Sequence, residues 1–378
     1  MLDCLQEKWI SEHYEETVAL LKELGKIPAP SHHEEQRAEF VKNWFVSRGG
    51  ADAYIDEAKN VILPIGVSEN NSVIVIMAHT DIVFPDTEPL EMREENGRLY
   101  APGIGDDTAN LVSLMMAAKY ALENRLAPKT GVLIVANACE EGLGNLKGTK
   151  QILKDFEGRI TEFLSLDGGS GSVVNSAVGS RRVEITVRAQ GGHSYSAFGN
   201  TNAIVQMSRL IQRLYEKEPP AQAKTTYNAG VIEGGTTVNS IAAECRLMYE
   251  YRSESRECLK EMEAFFEKTV DDLKNEGMDI SVRELGLRPC KGDVDEEKLT
   301  LLTNRIVNIV KTVTEKPVNV GAASTDANAP LSIGIPAVTF GAIEGGGAHT
   351  RGEWVRLSSM ENAVKCALSA LIDYFEVQ

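Results

Sequence analysis

Two histidines stand where the chain could bind a metal ion. His79 directly follows the apolar run 72–78, and Asp81 comes two residues later. His349 comes just after three consecutive glycines, whose ordering on folding is costly and therefore indicates a functional loop. Because ligands of α/β proteins gather at the carboxyl ends of strands, both histidines suit a metal site. For His79 taken alone, a histidine that hydrogen-bonds a loop is an equally good interpretation.

The acidic pair Glu140 and Glu141 follows another apolar run, 131–136. Two adjacent carboxylates at the end of a buried strand are costly unless a cation neutralises them. A divalent metal would do so, leaving one glutamate to bind the metal and the other to accept a proton. A solvated acidic loop is the alternative interpretation.

Three aspartates occupy comparable positions. Asp167 follows the apolar run 163–166, and Asp106 and Asp107 stand just before a predicted helix. One of this pair could instead cap that helix. Two histidines with carboxylates and no thiol suit zinc, and also manganese or cobalt. Two metal ions that share a bridging carboxylate and a water molecule would form a hydrolytic centre.

The elements that must position these residues are strands and helices in alternation. Continuous apolar strands separated by helices indicate an α/β sheet with helices on both faces. Ser31 and Glu34 form a capping-box pattern at the start of a helix. Strands are predicted at 72–78, 131–136, 163–166 and 337–340, and helices at 14–25, 31–48, 108–124, 296–314 and 358–376.

The middle of the chain follows a different order, strand-helix-strand-strand-helix-strand, which is the ferredoxin-like one. The sequence therefore predicts a catalytic domain at 1–180 and 291–378, interrupted by a smaller α+β domain at 181–290. In the smaller domain, strands are predicted at 182–189, 226–233, 243–252 and 280–287, and helices at 202–216 and 255–276.

The composition indicates which binding partners and which cell compartment are compatible with this chain. The net charge is −16, which would repel nucleic acid and anionic membrane. The first residues lack the pattern of a signal peptide, and no run approaches the roughly 20 apolar residues of a membrane span. The six cysteines form no C-x-x-C pair and predict reduced thiols. We therefore expect a cytoplasmic protein.

Seven ordered motifs, which span nearly the whole chain, resemble those of a known family. They are AHTDIV, GIGDDTAN, ACEEGLG, LDGG, GGHS, STDAN and GGGAHT. The family is that of the dinuclear-zinc exopeptidases and deacylases, which includes tripeptidase T, glutamate carboxypeptidase, acetylornithine deacetylase and succinyl-diaminopimelate desuccinylase. LDGG and STDAN favour the tripeptidase T branch. The resemblance implies a zinc-exopeptidase-type catalytic domain, a mixed sheet with helices on both faces, and an inserted ferredoxin-like lid and dimerisation domain.

The resemblance also implies a role for each metal ligand. His79 and Asp167 would hold one metal ion, Glu141 and His349 would hold the other, and Asp106 would bridge the two. The expected cofactors are two divalent ions, zinc in the first place, with cobalt or manganese as alternatives.

Further roles follow from the same resemblance. Asp81 would orient His79, and Glu140 would be the general base that activates a metal-bridged water. His193, in GGHS, would cross to the partner of a homodimer and stabilise the oxyanion, although a polar loop histidine is the plainer interpretation.

Asn239 and Arg252 resemble family residues that hold the substrate carboxylate, and Arg suits this role because its fork binds a carboxylate bidentately. An ordinary surface arginine is the alternative. The chain departs from the family at Thr108, where members commonly carry lysine. This departure could alter the start of the helix or the substrate preference.

The predicted function is hydrolysis of a peptide bond in short peptides, by a tripeptidase-like or dipeptidase-like exopeptidase. A deacylase of N-acyl amino acids would use the same site, so the motifs leave that alternative open. A non-catalytic metal-binding protein on the same scaffold would lack Glu140 or a ligand, and all are present. A dinucleotide-dependent dehydrogenase is disfavoured because no G-x-G-x-x-G motif follows an early strand.

Overall fold

The structure is a computed structural model that describes residues 2–376. The chain divides into two compact units, Met1–Ala177 with Asp293–Gln378 and Val178–Gly292. Each unit has its own hydrophobic core. None of the helices described in residues 2–376 combines the length and the apolarity that a membrane crossing requires.

An eight-stranded mixed sheet forms the centre of the first unit. The strands Val73–His79 and Gly131–Asn137 are fully buried and pair in parallel, with His79 opposite Asn137. Ile160–Leu166 pairs in parallel with the other side of the first strand. The order across the sheet is Tyr54–Ile55, Val61–Ile65, Gly131–Asn137, Val73–His79, Ile160–Leu166, Ala337–Phe340, Ser172–Ala177 and Asn319–Ala323.

Helices pack around this sheet, and a small second sheet completes the unit. The central helix Ala109–Glu123 is almost wholly buried and packs against Ser359–Ile372 and Tyr14–Gly25. The other helices of the unit are Cys4–Glu12, Glu35–Val46, Lys147–Asp155, Glu296–Thr314 and Asn328–Ser332. The small sheet contains Gly345–Gly346, Trp354–Arg356, Arg98–Tyr100 and Arg93–Glu95. The predicted α/β fold with a mixed sheet is confirmed.

The predicted capping box at Ser31 is wrong. The helix begins at Glu35, and its cap residue Glu34 makes no capping hydrogen bond through its side chain. The Ser31 hydroxyl instead donates to Asp81 Oδ2 at 2.6 Å. The Ser31 hydroxyl therefore bonds a residue that is distant in the sequence, although the local pattern predicted a bond within the helix.

The second unit is a four-stranded antiparallel sheet with two helices on one face. The apolar positions Leu247, Tyr249 and Tyr251 alternate along one strand and are buried in the core of this unit. The strand order is Thr225–Gly234, Glu244–Ser253, Gly179–Arg188 and Asp279–Arg288, and the helices are Ala203–Tyr215 and Arg256–Asn275. Along the chain this is the predicted ferredoxin-like order. A separate short ladder joins Gly192–His193 to Ser240–Ile241.

Candidate metal centre

The carboxyl end of the strand Val73–His79 places His79 in a buried, acidic environment. Its Nε2 lies 3.1 Å from Asp106 Oδ1, and its Nδ1 lies 3.0 Å from the carbonyl oxygen of Asp81. Its backbone N–H donates to Asp107 Oδ2 at 3.2 Å. Although burial opposes the charged imidazole, hydrogen bonds to Asp106 and Asp81 raise the pKa of His79 well above its usual value.

Asp81 joins the His79 loop to the loop after the neighbouring strand. Its Oδ1 accepts from the backbone N–H of Glu140, and its Oδ2 from that of Glu141, both at 2.9 Å. Ser31 supplies a third hydrogen bond. The side chain is completely buried, so these donors are what satisfies its charge.

Asp106 lies in the turn Ile104–Thr108 with one carboxylate oxygen toward each of two histidines. Oδ1 faces His79, whereas Oδ2 lies 3.2 Å from His349 Nε2. Burial works against ionisation, but the contacts with His349 and His79 hold the pKa of Asp106 below its usual range. A carboxylate placed between two imidazoles has the geometry of a bridging ligand.

The turn that carries Asp106 is held by a residue that the sequence analysis missed. Glu353 accepts backbone N–H groups from Gly105 at 2.7 Å, Asp106 at 2.8 Å and Gly103 at 3.0 Å. It is 2% exposed, and burial raises its pKa to about 7. Its only signal in the sequence is its place four residues after His349.

Glu141 completes the group around Asp106. His349 Nε2 lies 3.3 Å from Glu141 Oε1, and that oxygen is buried and accepts no hydrogen bond within residues 2–376. His349 has a positive φ of 63°, so the glycine-rich loop turns sharply to present its ring. Contacts with Asp106 and Glu141 raise the pKa of His349 to about 10.

Asp167 and Asp107 form a second group of possible ligands with His79. Ligand atoms of these three residues fall within 4.8 Å of one another, as do those of His79, Asp106 and Glu141. Burial, together with Asp106, raises the pKa of Asp167 to about 7. Asp107 does not cap the following helix: it accepts from His79 and, at 2.7 Å, from the Asn110 amide.

The chemistry of this donor set fits divalent cations. Several carboxylates face two imidazoles, and hydrogen bonds to these carboxylates raise the pKa of both His79 and His349, so the site favours positive charge. Metal binding displaces protons from such groups, because the ligands must be deprotonated. Nitrogen and oxygen ligands without a thiol suit zinc, manganese or cobalt. The predicted ligands that lie in these contacts are His79, Asp106, Glu141, Asp167 and His349.

Glu140 is the first acid of its pair and is 6% exposed. Its backbone is fixed by the bond to Asp81, and its neighbour Glu141 faces His349.

A small cavity of about 170 Å³ borders Asp106 and is lined largely by glycines, among them Gly105, Gly169 and Gly345.

His193 lies in the second unit and is exposed. Its Nδ1 accepts from the backbone N–H groups of Tyr195 at 3.2 Å and Ser196 at 3.4 Å. An accepting Nδ1 fixes the neutral ring as the tautomer that carries its proton on Nε2. His193 can therefore donate a hydrogen bond from Nε2.

Within the second unit, Asn239 and Arg252 lie at opposite ends of the sheet. The backbone carbonyl of Asn239 accepts from Ser194, next to His193. Arg252 is eight residues from the start of Glu244–Ser253, or about 26 Å along an extended strand. Both Nε and Nη2 of Arg252 donate to Glu250 at 2.9 Å. The structure does not bring these two residues together within one copy of this unit.

Comparison with known proteins identifies the family. A model of peptidase family M20/M25/M40 matches residues 75–373. An acetylornithine deacetylase of Myxococcus xanthus is 26% identical over 83% of both chains. A succinyl-diaminopimelate desuccinylase of Corynebacterium glutamicum is 24% identical over 89% of this chain and 90% of its own. The crystal structure of aminopeptidase PepT from Bacillus cereus superposes with a TM-score of 0.72 at 19% identity, covering 94% and 97% of the two chains. The chain belongs to peptidase family M20/M25/M40 and is a hydrolase of amide bonds.

Proposed function

We propose that this hydrolase cleaves peptide bonds of short peptides with two divalent metal ions bound around Asp106. The observation that carries the proposal is the placement of the two Asp106 oxygens, 3.1 Å from His79 Nε2 and 3.2 Å from His349 Nε2. Two further acids, Asp167 near His79 and Glu141 near both His79 and His349, supply the other carboxylates that two metal positions would need.

In this proposal His79 and Asp167 hold one ion, Glu141 and His349 hold the other, and Asp106 bridges them. When bound, two such cations polarise the scissile carbonyl and lower the pKa of a water molecule. Zinc is the ion that best suits this ligand set, and cobalt or manganese would also fit it.

Glu140 is proposed as the proton-transfer group. It accepts a proton from the attacking water and passes it to the leaving nitrogen. Asp81 supports this role because one carboxylate fixes the backbone of both Glu140 and Glu141. Glu140 and Glu141 are thereby held at fixed positions relative to His79, which also contacts Asp81.

His193 is proposed as the donor that stabilises the oxyanion, supplied by a second copy of the chain. Its Nε2–H tautomer suits that task. Within its own unit His193 lies beyond the sheet end at Arg188 and Glu244, whereas the chain enters and leaves near Gly179 and Arg288. The exposed ring is therefore carried at the far end of the unit.

The edges of the second unit's sheet support a homodimer. The edge strand Thr225–Gly234 exposes Val231 and Ile232, whose exposed fractions are 46% and 53%. The opposite edge, Asp279–Arg288, carries charged residues, which protect an edge against pairing with another strand. We propose that the edge strand Thr225–Gly234, whose one charged residue is Glu233, pairs with a second copy.

A second candidate is hydrolysis of N-acyl amino acids. It is favoured by the two relatives described above, whose names denote a deacetylase and a desuccinylase. Arg252 is proposed to bind a substrate carboxylate and Asn239 to act beside His193, which would serve peptides and N-acyl amino acids alike. A dipeptide and an N-acyl amino acid differ only in the acyl group, so one site could accept both.

A substrate panel separates these candidates. Purified protein is assayed for metal content and then tested on dipeptides, tripeptides and N-acetyl and N-succinyl amino acids, with and without chelator. We expect two divalent ions per chain, loss of activity on chelation, and the highest kcat/KM on a short peptide. A highest kcat/KM on an N-acyl amino acid would favour the second candidate instead.

Glu140→Gln should keep both metal ions but lower kcat by about 10²–10⁴-fold, the usual share of general acid-base catalysis. The amide preserves the shape of the side chain while removing its ability to accept a proton. Metal analysis and steady-state kinetics on one preparation measure the two effects separately. Glu123→Gln, on a partly exposed helix position, is the matched control. Full activity of Glu140→Gln would exclude it as the base.

Asp81→Asn should weaken metal binding or activity by about 10–100-fold, because the residue supports the ligands without holding the metal. The new amide group would present N–H hydrogens to backbone N–H groups that now donate to Asp81. Competition with a chelator measures the affinity. Asp295→Asn is the control, since Asp295 also accepts two backbone N–H groups, at the start of a remote helix. An unchanged affinity and kcat would remove the proposed role of Asp81.

Mixing His193→Ala with Glu140→Gln subunits should restore activity if the site is shared. At equal amounts half of the dimers are mixed, and each contains one complete site, so activity should return to roughly one quarter of the wild type. Activity is measured across mixing ratios after subunit exchange has been verified by mass spectrometry. No recovery at any ratio would contradict the shared site.

A further inference from the structure

Arg37 is a buried cation next to the metal centre. It lies on the helix Glu35–Val46, and its side chain is completely buried, which is rare for arginine unless it is paired. It makes no ion pair within 4.0 Å in the part of the chain that the structure describes. Its environment therefore has to stabilise the charge by hydrogen bonds and by more distant carboxylates.

The hydrogen bonds of Arg37 link two ligand loops. Nη1 donates to the carbonyl oxygen of Thr80 at 2.9 Å and to Thr108 Oγ1 at 3.1 Å. Thr80 stands between His79 and Asp81, and Thr108 is the second residue after Asp106. One nitrogen atom thus binds the loop of a proposed metal ligand and the turn of the proposed bridging ligand.

Two more contacts anchor this arrangement. Nε of Arg37 donates to the carbonyl oxygen of Ile27 at 2.7 Å. The Thr108 hydroxyl, which accepts from Arg37, donates in turn to the Gly103 carbonyl oxygen at 2.5 Å. The Thr108 hydroxyl therefore links the guanidinium of Arg37 to the turn that contains Asp106.

The charge of Arg37 also suits its surroundings. Burial lowers the pKa of Arg37 to about 10, and the negative charges of Asp81 and Glu353 oppose that effect. The guanidinium consequently stays protonated at neutral pH. A fixed positive charge near the carboxylates of Asp81 and Glu353 favours their ionised forms.

We propose that Arg37 is a positioning residue that fixes the loops of His79 and Asp106 in the relation that two metal ions require. The geometry assigns the pair Arg37–Thr108 to this task, since Arg37 reaches both loops and Thr108 offers it an oxygen. The inference rests on the proposed metal-ligand set.

The test compares metal affinity with stability in Arg37→Lys, Arg37→Met and Thr108→Val. Each holoenzyme is dialysed against chelator-buffered zinc, and bound metal is measured at each free concentration. The visible spectrum of the cobalt-loaded protein reports the ligand geometry, and thermal unfolding reports stability. Lys119→Met is the matched control, because Lys119 is a buried cation paired with Glu16 at 2.5 Å and away from the ligand loops.

We expect all three variants to lose affinity for at least one ion by about 10–100-fold, with a changed cobalt spectrum and a lower kcat at similar KM. Arg37→Lys should retain more affinity than Arg37→Met, because it keeps the charge. Lys119→Met should lower the unfolding temperature only.

Variants with wild-type affinity and spectrum but reduced stability would show a purely structural role and overturn the inference. Thr108→Val decides the matter if Arg37→Met does not fold. Wild-type protein that binds fewer than two ions would contradict the ligand set itself.

Discussion

The candidate metal centre depends on negative charge that is gathered at one edge of a sheet. Asp106, Asp107, Glu141 and Asp167 lie within a small volume, and burial favours protonation of Asp107 and Asp167. Carboxylates in such an environment repel one another unless protons or cations intervene. The pKa values of His79 and His349 are both raised, which indicates that this edge favours positive charge. Divalent cations would satisfy the same demand and supply the chemistry of hydrolysis.

Hydrogen bonds to the backbone hold this charged group in place. Asp81 accepts hydrogen bonds from the N–H groups of the paired glutamates. Glu353 accepts three N–H groups around Asp106. Arg37 donates to the Thr80 carbonyl oxygen and to the Thr108 hydroxyl. Each of these three residues is buried and ionisable, and none of them belongs to the proposed set of metal ligands. This arrangement explains why variants of the supporting residues should affect metal affinity more than overall folding.

The sequence could predict the parts of this arrangement that depend on continuous patterns. Apolar runs marked the central strands, and the residues just beyond them marked the edge where histidine and carboxylate side chains meet, because parallel strands deliver their carboxyl ends to one side. Short elements without periodicity, such as Val61–Ile65 and Ser172–Ala177, were not predicted. Ser31 shows the limit most clearly, since its local pattern indicates a helix cap while its partner is Asp81, fifty residues away. Arg37 gave no signal either, because an arginine within a polar helical segment looks like a solvent-exposed residue.

In the proposed metal centre, two divalent ions flank Asp106. Anomalous diffraction from crystals of the zinc-loaded protein, measured above and below the zinc absorption edge, tests this arrangement directly. We expect two peaks about 3.5–4 Å apart, one beside His79 and Asp167 and the other beside Glu141 and His349. A single peak at full zinc occupancy, or peaks remote from Asp106, would contradict this arrangement.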